Sequence, residues 1–402
     1  MKNIVIITES YPYKGGEQFL YNEFIELSKH YKTVYFFPLN KSELAIKLPD
    51  NYIINDALNS NSETTIKTNL SKYYFLILSF FLTELIGNKK SILLLKNFRY
   101  HFAFLKKSIS NNILIQKEFL KLNISTNDTF VSTWMNSGAL TLSILKKKKK
   151  ITDFSFRVNG YDIFEERHKG NYMPFQIVNF KYCKKVIVLS KAGFNHLTNK
   201  TKYNFKLFQN YAGQYDIGLN KITKTEITTI VSCSSLIELK RVNLIVRALK
   251  KCTSRINWIH FGDGTEMNEI SSLCKQLPEN VNYNLKGNVS NLDIINFYET
   301  NAVNFFIHVS RTEGLGMALI EAQSFGIPII ACGVGGVTEI VNKKTGVILD
   351  KTISSDNLRY EIESFINSDK NNMASRIEIK KHFNEKFNIK KNIILFINSI
   401  ES

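Results

Sequence analysis

The stretch that most constrains the fold is a largely apolar run followed by a turn with two glycines. Val303–Val309 predicts a buried parallel strand. Gly314 and Gly316 then allow a tight turn. Met317–Phe325 has a helical pattern that ends at Gly326. A helix that begins after a strand and a glycine turn offers free backbone N–H groups to an anion, so this stretch predicts a phosphate site in an α/β protein.

Two carboxylates flank this turn. Glu313 lies just before the predicted helix. Glu321 lies four residues after Met317 and therefore on the same face of the helix, one turn from its N-terminus. A carboxylate at that place repels a phosphate but accepts hydrogen bonds from a diol such as a ribose. The pattern therefore predicts a ligand that carries both a phosphate and a sugar.

The spacing Glu-x7-Glu, with Gly-Leu-Gly between and Gly-Ile-Pro-Ile-Ile-Ala, Gly-Gly and Glu-Ile-Val after it, resembles the donor-site signature of group 1 (family 4) glycosyltransferases. Those are retaining enzymes of the GT-B fold. The resemblance implies an α/β protein with two Rossmann-like parallel-sheet domains facing across a cleft. Its C-terminal helix would cross back to the N-terminal domain. A structural strand–helix unit with two solvent-facing glutamates is the alternative, and agreement over more than thirty residues argues against it.

The resemblance also implies the donor and its contacts. The donor would be a nucleotide-diphosphate sugar of the UDP or GDP type, with no tightly bound cofactor and no metal. Glu313 would bind donor-sugar hydroxyls, and Glu321 would bind ribose hydroxyls. The distal phosphate would meet the backbone of Gly314, Leu315, Gly316 and Met317, and the base would meet the backbone of Gly287, Asn288 and Val289.

Residues 231–241 resemble the family's Gly-Arg-Leu…Lys-Gly segment, which holds the donor diphosphate. Lys240 matches, so the resemblance implies that it stabilises the leaving diphosphate; a solvated loop lysine is the alternative. The family's Arg is Ser235 here, and the Gly after the Lys is Arg241. Ser235 offers one hydroxyl in place of a bidentate fork. We expect Arg241 or Arg311 to replace the missing charge.

The N-terminus reads strand, loop, helix and strand, which is the start of a doubly wound sheet. Gly15 and Gly16 lie in its first loop, followed by Glu17. A Gly-Gly pair is more often only a turn. Here it resembles the glycine loop that faces the donor diphosphate in the same family, so we expect backbone contacts from both glycines.

A second strand end, at residues 156–162, resembles the family's His-Gly-x-Asp stretch, where the His lies close to the donor sugar. This chain has Asn159 in place of that His. Asn can hydrogen-bond a hydroxyl but does not titrate near neutral pH. We expect Asn159 at the catalytic site, and Arg157, Tyr161 and Asp162 on the acceptor side.

The order of predicted elements gives the domain organisation. It predicts an N-terminal domain over residues 1–213, a linker over the polar, aperiodic residues 214–226, and a second domain over residues 227–384, where strands and helices alternate regularly. The resemblance implies that the first domain binds the acceptor and the second binds the nucleotide sugar. It also implies that residues 385–402 form a C-terminal helix that returns to the first domain.

Charge is unevenly distributed. The chain has a net charge of +18, and residues 1–210 contain 31 Lys and Arg against 15 Asp and Glu. This asymmetry suggests an anionic membrane surface, a lipid-linked acceptor or a nucleic acid as partner. The alternative is a lysine-rich genomic composition, which implies no anionic partner. No nucleic-acid-binding module is recognised, so no nucleic acid is expected. The run Lys146–Lys150 predicts a solvated turn, with a phosphate-rich partner as the alternative.

The most apolar segment is Tyr73–Ile86, which is shorter than the ~18–20 residues that span a bilayer and contains Glu84. It predicts a buried helix, although neighbouring lysines leave membrane association open. The five scattered cysteines fit a reducing cytoplasm, and the N-terminus opens into a strand without signal-peptide architecture. We expect a cytoplasmic protein, with peripheral attachment to the inner face of the membrane as an alternative.

The resemblance implies a retaining glycosyltransferase that moves a sugar to a glycan or lipid-linked acceptor in cell-envelope or capsular polysaccharide synthesis. A catalytically impaired nucleotide-sugar-binding homologue is an alternative, because Asn159 and Ser235 depart from the family pattern. A nucleotide-sugar epimerase is a further alternative, against which the Glu-x7-Glu spacing argues.

Overall fold

The chain forms two compact units. Unit 1 comprises Met1–Asn210 and Ile393–Ser402, and unit 2 comprises Tyr211–Asn392. The structure is a computed structural model that describes residues 2–15, 17–44, 48–59, 70–87, 96–165, 168, 171–223 and 225–402.

Unit 1 is built on a seven-stranded parallel sheet with the order β3-β2-β1-β4-β5-β6-β7. Its strands are β1 Ile4–Thr8, β2 Val34–Pro38, β3 Tyr52–Ile54, β4 Thr129–Ser132, β5 Ser155–Val158, β6 Lys185–Val188 and β7 Leu207–Gln209. Its helices are α1 Tyr21–Ser28, α2 Tyr74–Gly87, α3 Phe98–Lys121, α4 Ser137–Lys147, α5 Gly160–Ile163, α6 Gln176–Tyr182 and α7 Lys191–Thr198. Every residue of β1 and β2 is buried, as expected for parallel strands that are covered on both faces.

Unit 2 has a six-stranded parallel sheet with the order β10-β9-β8-β11-β12-β13. Its strands are β8 Thr228–Cys233, β9 Ile256–Phe261, β10 Val281–Leu285, β11 Phe305–His308, β12 Ile329–Cys332 and β13 Gly346–Leu349. Its helices are α8 Val242–Leu249, α9 Met267–Cys274, α10 Asn291–Thr300, α11 Met317–Ser324, α12 Val337–Ile340, α13 Ser355–Ile366 and α14 Met373–Lys386. The predicted pair of Rossmann-like parallel sheets is confirmed.

In each sheet the strand order reverses once, between β1 and β4 in unit 1 and between β8 and β11 in unit 2. Open α/β sheets bind ligands outside the carboxyl ends of their strands at such a switch point. The topology therefore marks one candidate binding place in each unit.

The last helix, α15 Ile389–Glu401, ends in unit 1. Its apolar residues Ile393, Phe396 and Ile400 are buried in a core cluster with Ile4 and Phe24, among others. The expected return of the C-terminal helix to the N-terminal domain is confirmed.

Residues 214–226, predicted as a linker, lie within unit 2. Asn220 is buried there; its Nδ2 donates to the carbonyls of Tyr298 at 2.6 Å and Asn301 at 2.7 Å, and its Oδ1 accepts from Val303 N at 2.9 Å. Polar residues without periodicity predicted an interdomain linker, but the Asn220 side chain satisfies backbone groups just before β11.

The prediction that Tyr73–Ile86 is a buried helix is wrong. The helix α2 exists, but the buried side chains among its residues are only Phe80 and Glu84. Its apolar composition indicated a core helix because sequence alone does not show whether other elements cover the second face.

Candidate active site

At the switch point of unit 2, two side chains from distant loops form an ion pair. Lys240 ends a 3₁₀ turn, Glu238–Lys240, that follows β8. Glu313 follows β11, and its Oε1 accepts a hydrogen bond from Lys240 Nζ. The same Oε1 accepts from His308 Nε2 at 2.8 Å, and His308 is the last residue of β11. A carboxylate with two nitrogen donors thus lies where the topology predicts a ligand.

This environment keeps Glu313 ionised. Burial raises the pKa of its carboxyl, but the hydrogen bond and charge of His308 and the charge of Lys240 outweigh that effect and lower the pKa to about 2. An ionised carboxylate only accepts hydrogen bonds, so Glu313 is suited to bind hydroxyl groups. His308 was not singled out from the sequence; its position at the end of a buried strand is the signal that marks it.

Backbone packing holds the loop that carries Glu313. A Cβ atom on Gly335, which has φ +52°, would lie 1.9 Å from the Glu313 carbonyl oxygen. Gly336 N donates to the Gly314 carbonyl at 3.1 Å. The Gly-Gly pair of the sequence motif therefore allows two backbone segments to touch, and no larger residue fits at Gly335.

The helix α11 begins as predicted. Its N-cap is Gly316, with φ +99°, and Met317 is its first residue. Leu315 is buried, and Gly314, Gly316 and Met317 are half-buried. The strand, the glycine turn and the helix N-terminus are all present at the predicted positions.

Glu321 is buried in α11 and differs electrostatically from Glu313. Burial raises its pKa to about 7, and the hydrogen bond from Asn291 Nδ2, at 2.7 Å, acts in the opposite direction. A buried carboxyl of this kind can exchange hydrogen bonds with a neutral group such as a hydroxyl. Asn291, the first residue of α10, was not predicted from the sequence.

A cavity of about 530 Å³ opens beside the end of β8. Predicted site residues Ser235, Asn288 and Val289 line it together. Other lining residues include Ser234, Gly262 and Asp263. Gly287 lies at its edge through its carbonyl, which accepts from Gly262 N at 2.8 Å. The cavity has the size and the mixed polar wall of a small-molecule site.

The two arginines expected to replace the missing charge are engaged elsewhere. Arg241 donates from Nε to the Val309 carbonyl at 2.7 Å and from Nη2 to Cys332 Sγ at 3.2 Å. Arg311 pairs with Glu238 at 3.0 Å, and both side chains are exposed. These contacts do not support the expectation that Arg241 or Arg311 supplies the positive charge that is missing at Ser235. Lys240 is the residue whose side chain pairs with Glu313.

The switch point of unit 1 also brings polar side chains together. Glu9, directly after β1, accepts hydrogen bonds from Asn40 Nδ2 at 2.8 Å and from Asn136 Nδ2. Asn136 in turn caps α4 by accepting from Gly138 N at 2.8 Å. These three residues were missed, although each lies one to four residues beyond a buried strand, which was the available signal.

The glycine loop after β1 is held by Glu17. Its buried carboxylate accepts from the backbone of Ser10 at 2.7 Å and Tyr11 at 2.8 Å, and from Trp134 Nε1 at 2.6 Å. Gly15 is exposed on this loop, and Gly16 lies outside the described residues. Glu17 therefore shapes the loop.

The structure separates the four site residues predicted within 157–162 into buried and accessible ones. Arg157 is only 3% exposed and pairs with Glu23, so it is not an acceptor contact and the expectation is corrected. Asp162 is also buried; it accepts from Asn159 N at 2.8 Å and Met135 N at 3.1 Å, and burial raises its pKa to about 7. It fixes the turn instead of meeting a ligand. Tyr161 is 53% exposed and Asn159 is half-buried, so both stay candidates.

Comparison with known proteins finds its family match in the second half of the chain. Residues 220–383 match the family described as Glycosyl transferases group 1. An uncharacterised glycosyltransferase of Haemophilus influenzae is 26% identical over 205 residues, which cover 49% of this chain and 54% of the relative. The Escherichia coli O-antigen biosynthesis glycosyltransferase WbnH is 28% identical over 125 residues, covering 31% of this chain and 34% of that protein. These matches thus span about half or less of the curated relatives' length.

The fold is similar to solved structures over its whole length. The crystal structure of Anabaena HepE in complex with UDP and glucose has a TM-score of 0.67 and 14% sequence identity, covering 100% of this chain and 99% of that one. At this identity the similarity shows the fold alone, which is GT-B.

Proposed function

Because residues 220–383 form a group 1 glycosyltransferase domain within a GT-B fold, we propose that this protein transfers a sugar from a nucleotide-sugar donor to a glycan or lipid-linked acceptor. The observation that carries the proposal is the Lys240–Glu313–His308 cluster at the switch point of unit 2. It places Lys240 and an ionised carboxylate beside a glycine turn and a helix N-terminus. That combination suits a ligand with both a diphosphate and a hydroxylated sugar.

The donor contacts follow from the chemistry of each group. The amides at Gly314–Met317 bind the distal phosphate, and Lys240 neutralises the diphosphate as a point charge. Glu313 accepts from donor-sugar hydroxyls and Glu321 from ribose hydroxyls. The cavity lined by Ser235, Asn288 and Val289 takes the base end of a UDP or GDP-type donor.

Transfer is proposed to retain the configuration at the anomeric carbon. The acceptor hydroxyl attacks the anomeric carbon from the face that the diphosphate leaves. The bond from that carbon to the phosphate oxygen breaks, and the departing phosphate takes the acceptor's proton. Lys240 and the α11 N-terminus stabilise the charge that develops on the leaving group. Glu313 is already paired with two donors, which suits a binding role and not that of a proton donor.

Unit 1 is proposed to recognise the acceptor. Glu9 and Asn136 present carboxylate and amide groups at the carboxyl edge of its sheet, and Tyr161 is exposed there. Such groups hydrogen-bond sugar hydroxyls. The relatives named for O-antigen biosynthesis support an acceptor in cell-envelope or capsular polysaccharide synthesis.

The experiment is a panel of UDP-, GDP- and ADP-sugars, read by thermal shift and by released nucleotide. One donor should give both a shift and slow turnover, and Lys240→Ala and Glu321→Ala should lose both. Lys343→Ala, which removes an exposed lysine of unit 2, is the matched control and should behave like the wild type. No response to any donor would refute the proposal.

A second candidate function is a nucleotide-sugar-binding protein without transferase activity. Ser235 in place of an arginine favours it, because neither Arg241 nor Arg311 compensates through the contacts described. A thermal shift with one donor and no released nucleotide, even with extracted lipid-linked acceptors, would select this candidate.

A further inference from the structure

Helix α2 exposes an apolar stripe on the surface of unit 1. Phe75, Leu78, Leu82 and Ile86 are 83%, 43%, 46% and 83% exposed, respectively. At 100° per residue their side chains fall within about 80° of the helix circumference, and the stripe is about 16 Å long. Large apolar side chains in a continuous row on a surface mark an interaction site.

The opposite face of α2 is fixed to the protein. Phe80 is buried, and the buried Glu84 carboxylate accepts from Tyr172 Oη at 2.9 Å and from Val178 N at 3.2 Å. Val178 lies in the first turn of α6, so Glu84 satisfies a backbone donor that the helix leaves open. Leu70–Gly87 is long and apolar enough to cross a membrane by length and composition, but leaving its place would break these contacts. An orientation flat on a surface keeps them.

Two further aromatic residues are exposed at α2, one at its start and one packed against its middle. Tyr74 is exposed at its start. At the start of α3, the exposed Phe98 packs its ring 5.4 Å from that of Phe81. Amphipathic aromatic and apolar side chains of this kind partition into the interfacial region of a bilayer.

Lysines lie at one flank of α2, between the exposed stripe and the buried Phe80. Lys147 Nζ donates to Ser79 Oγ and lies 5.4 Å from the Phe80 ring centre. Lys148 Nζ lies 4.5 Å from the Tyr73 ring centre. Lys148, Lys149 and Lys150 are exposed at the end of α4. The run Lys146–Lys150, predicted as a solvated turn, thus places positive charge next to an exposed apolar face.

We propose that the apolar stripe of α2, together with Lys148–Lys150, is a docking surface for an anionic phospholipid membrane. Apolar side chains beside several lysines match the acyl boundary and the charged headgroups of such a membrane. A second copy of the chain fits less well, because a two-fold contact through this face would bring the same lysines together. The proposal does not depend on the transferase activity, because its assay reads membrane binding alone.

The test is co-sedimentation of the full chain with vesicles of phosphatidylcholine and phosphatidylglycerol, compared with pure phosphatidylcholine. Binding is expected with the anionic vesicles and should weaken as salt rises, because counterions screen the lysines. Phe75→Ser with Ile86→Ser should reduce the partition coefficient at least tenfold, through lost apolar burial. Lys148→Gln with Lys150→Gln should reduce it about fivefold per lysine.

Matched control variants distinguish binding through this surface from non-specific binding to vesicles. Tyr360→Ser with Ile377→Ser removes two exposed apolar side chains of unit 2, and Lys343→Gln with Lys344→Gln removes two exposed lysines there. Both pairs should bind vesicles like the wild type. Thermal unfolding of each variant verifies that the chain is folded.

Absent binding of the wild type to anionic vesicles would overturn the proposal, as would equal losses in the control pairs. Gel filtration adds a further outcome: a dimer that Phe75→Ser with Ile86→Ser converts to a monomer, without vesicle binding, would identify a second copy as the occupant instead.

Discussion

The substitution His308→Ala tests whether His308 acts through Glu313. The pKa of Glu313 lies at about 2 in place of 4.5, and at 1.36 kcal/mol per pKa unit this corresponds to about 3.4 kcal/mol of preference for the ionised form. Two donors, His308 and Lys240, supply it against the cost of burial. A hydrogen bond to a charged group contributes about 1.5–3 kcal/mol, so loss of His308 should cost about 2 kcal/mol.

The assay is the thermal midpoint for the unfolding of unit 2. In a chain of two units, the transition that a bound donor nucleotide shifts is the one that belongs to unit 2. For a unit of this size, a loss of about 2 kcal/mol lowers the midpoint by about 4–8 °C. His308→Gln can still donate to Glu313 and should recover much of the loss.

The stabilisation that Glu313 gives the fold changes with pH in a defined direction. Because the folded-state pKa of Glu313 is lowered, its stabilisation is complete above about pH 4.5 and is lost as the pH falls toward 2. The difference between wild type and His308→Ala should therefore be largest above pH 4.5 and shrink below it.

Two results would refute this reasoning. One is a difference that stays constant down to pH 3. The other is a full effect of His308→Ala in a chain that already carries Glu313→Gln, because there the carboxylate that His308 serves is gone.

Three further predictions concern unit 2. Gly335→Ala should abolish the donor-induced thermal shift, because its Cβ would meet the backbone that carries Glu313, whereas Gly218→Ala, at a positive-φ glycine with open space around it, should keep the shift. Arg376→Met should lower the free energy of unfolding by about 3 kcal/mol in urea titrations, since the buried guanidinium donates to the carbonyl of Val303 and to the side chains of Asn220 and Asn371; Lys381→Met on the same helix should change it little. Glu321→Gln should be more thermostable than wild type at pH 8 but not at pH 4.5, because a carboxyl whose folded pKa is raised to about 7 destabilises the fold as the pH rises from 4.5 through 7; equal midpoints at pH 8 would contradict this.

Local sequence was sufficient where short-range geometry decides the structure. The strand β11, the glycine turn and the helix α11 all follow from the order of apolar residues, glycines and helix formers, and the structure has them at the predicted positions. The alternation of strands and helices likewise determined the two parallel sheets, because parallel strands need crossover connections. The positions of Glu313 and Glu321 came from a motif with fixed spacing, and that of Lys240 came from a second, partial resemblance over residues 231–241.

The tertiary structure alone decided which side chains meet. Lys240 and Glu313 are 73 residues apart, and Glu9 and Asn136 are 127 apart, yet each pair touches because both members follow strands that are neighbours at a switch point. Sequence order does not reveal such neighbours.

The same reason explains the wrong expectations. Arg157 looked like a ligand contact at a strand end, but Glu23 from a distant helix covers it. Helix α2 looked like a core element, but no described element covers its stripe. Composition and periodicity by themselves determined which elements form and which faces are apolar. What lies against each face depends on how distant segments pack, and only the folded chain decides that.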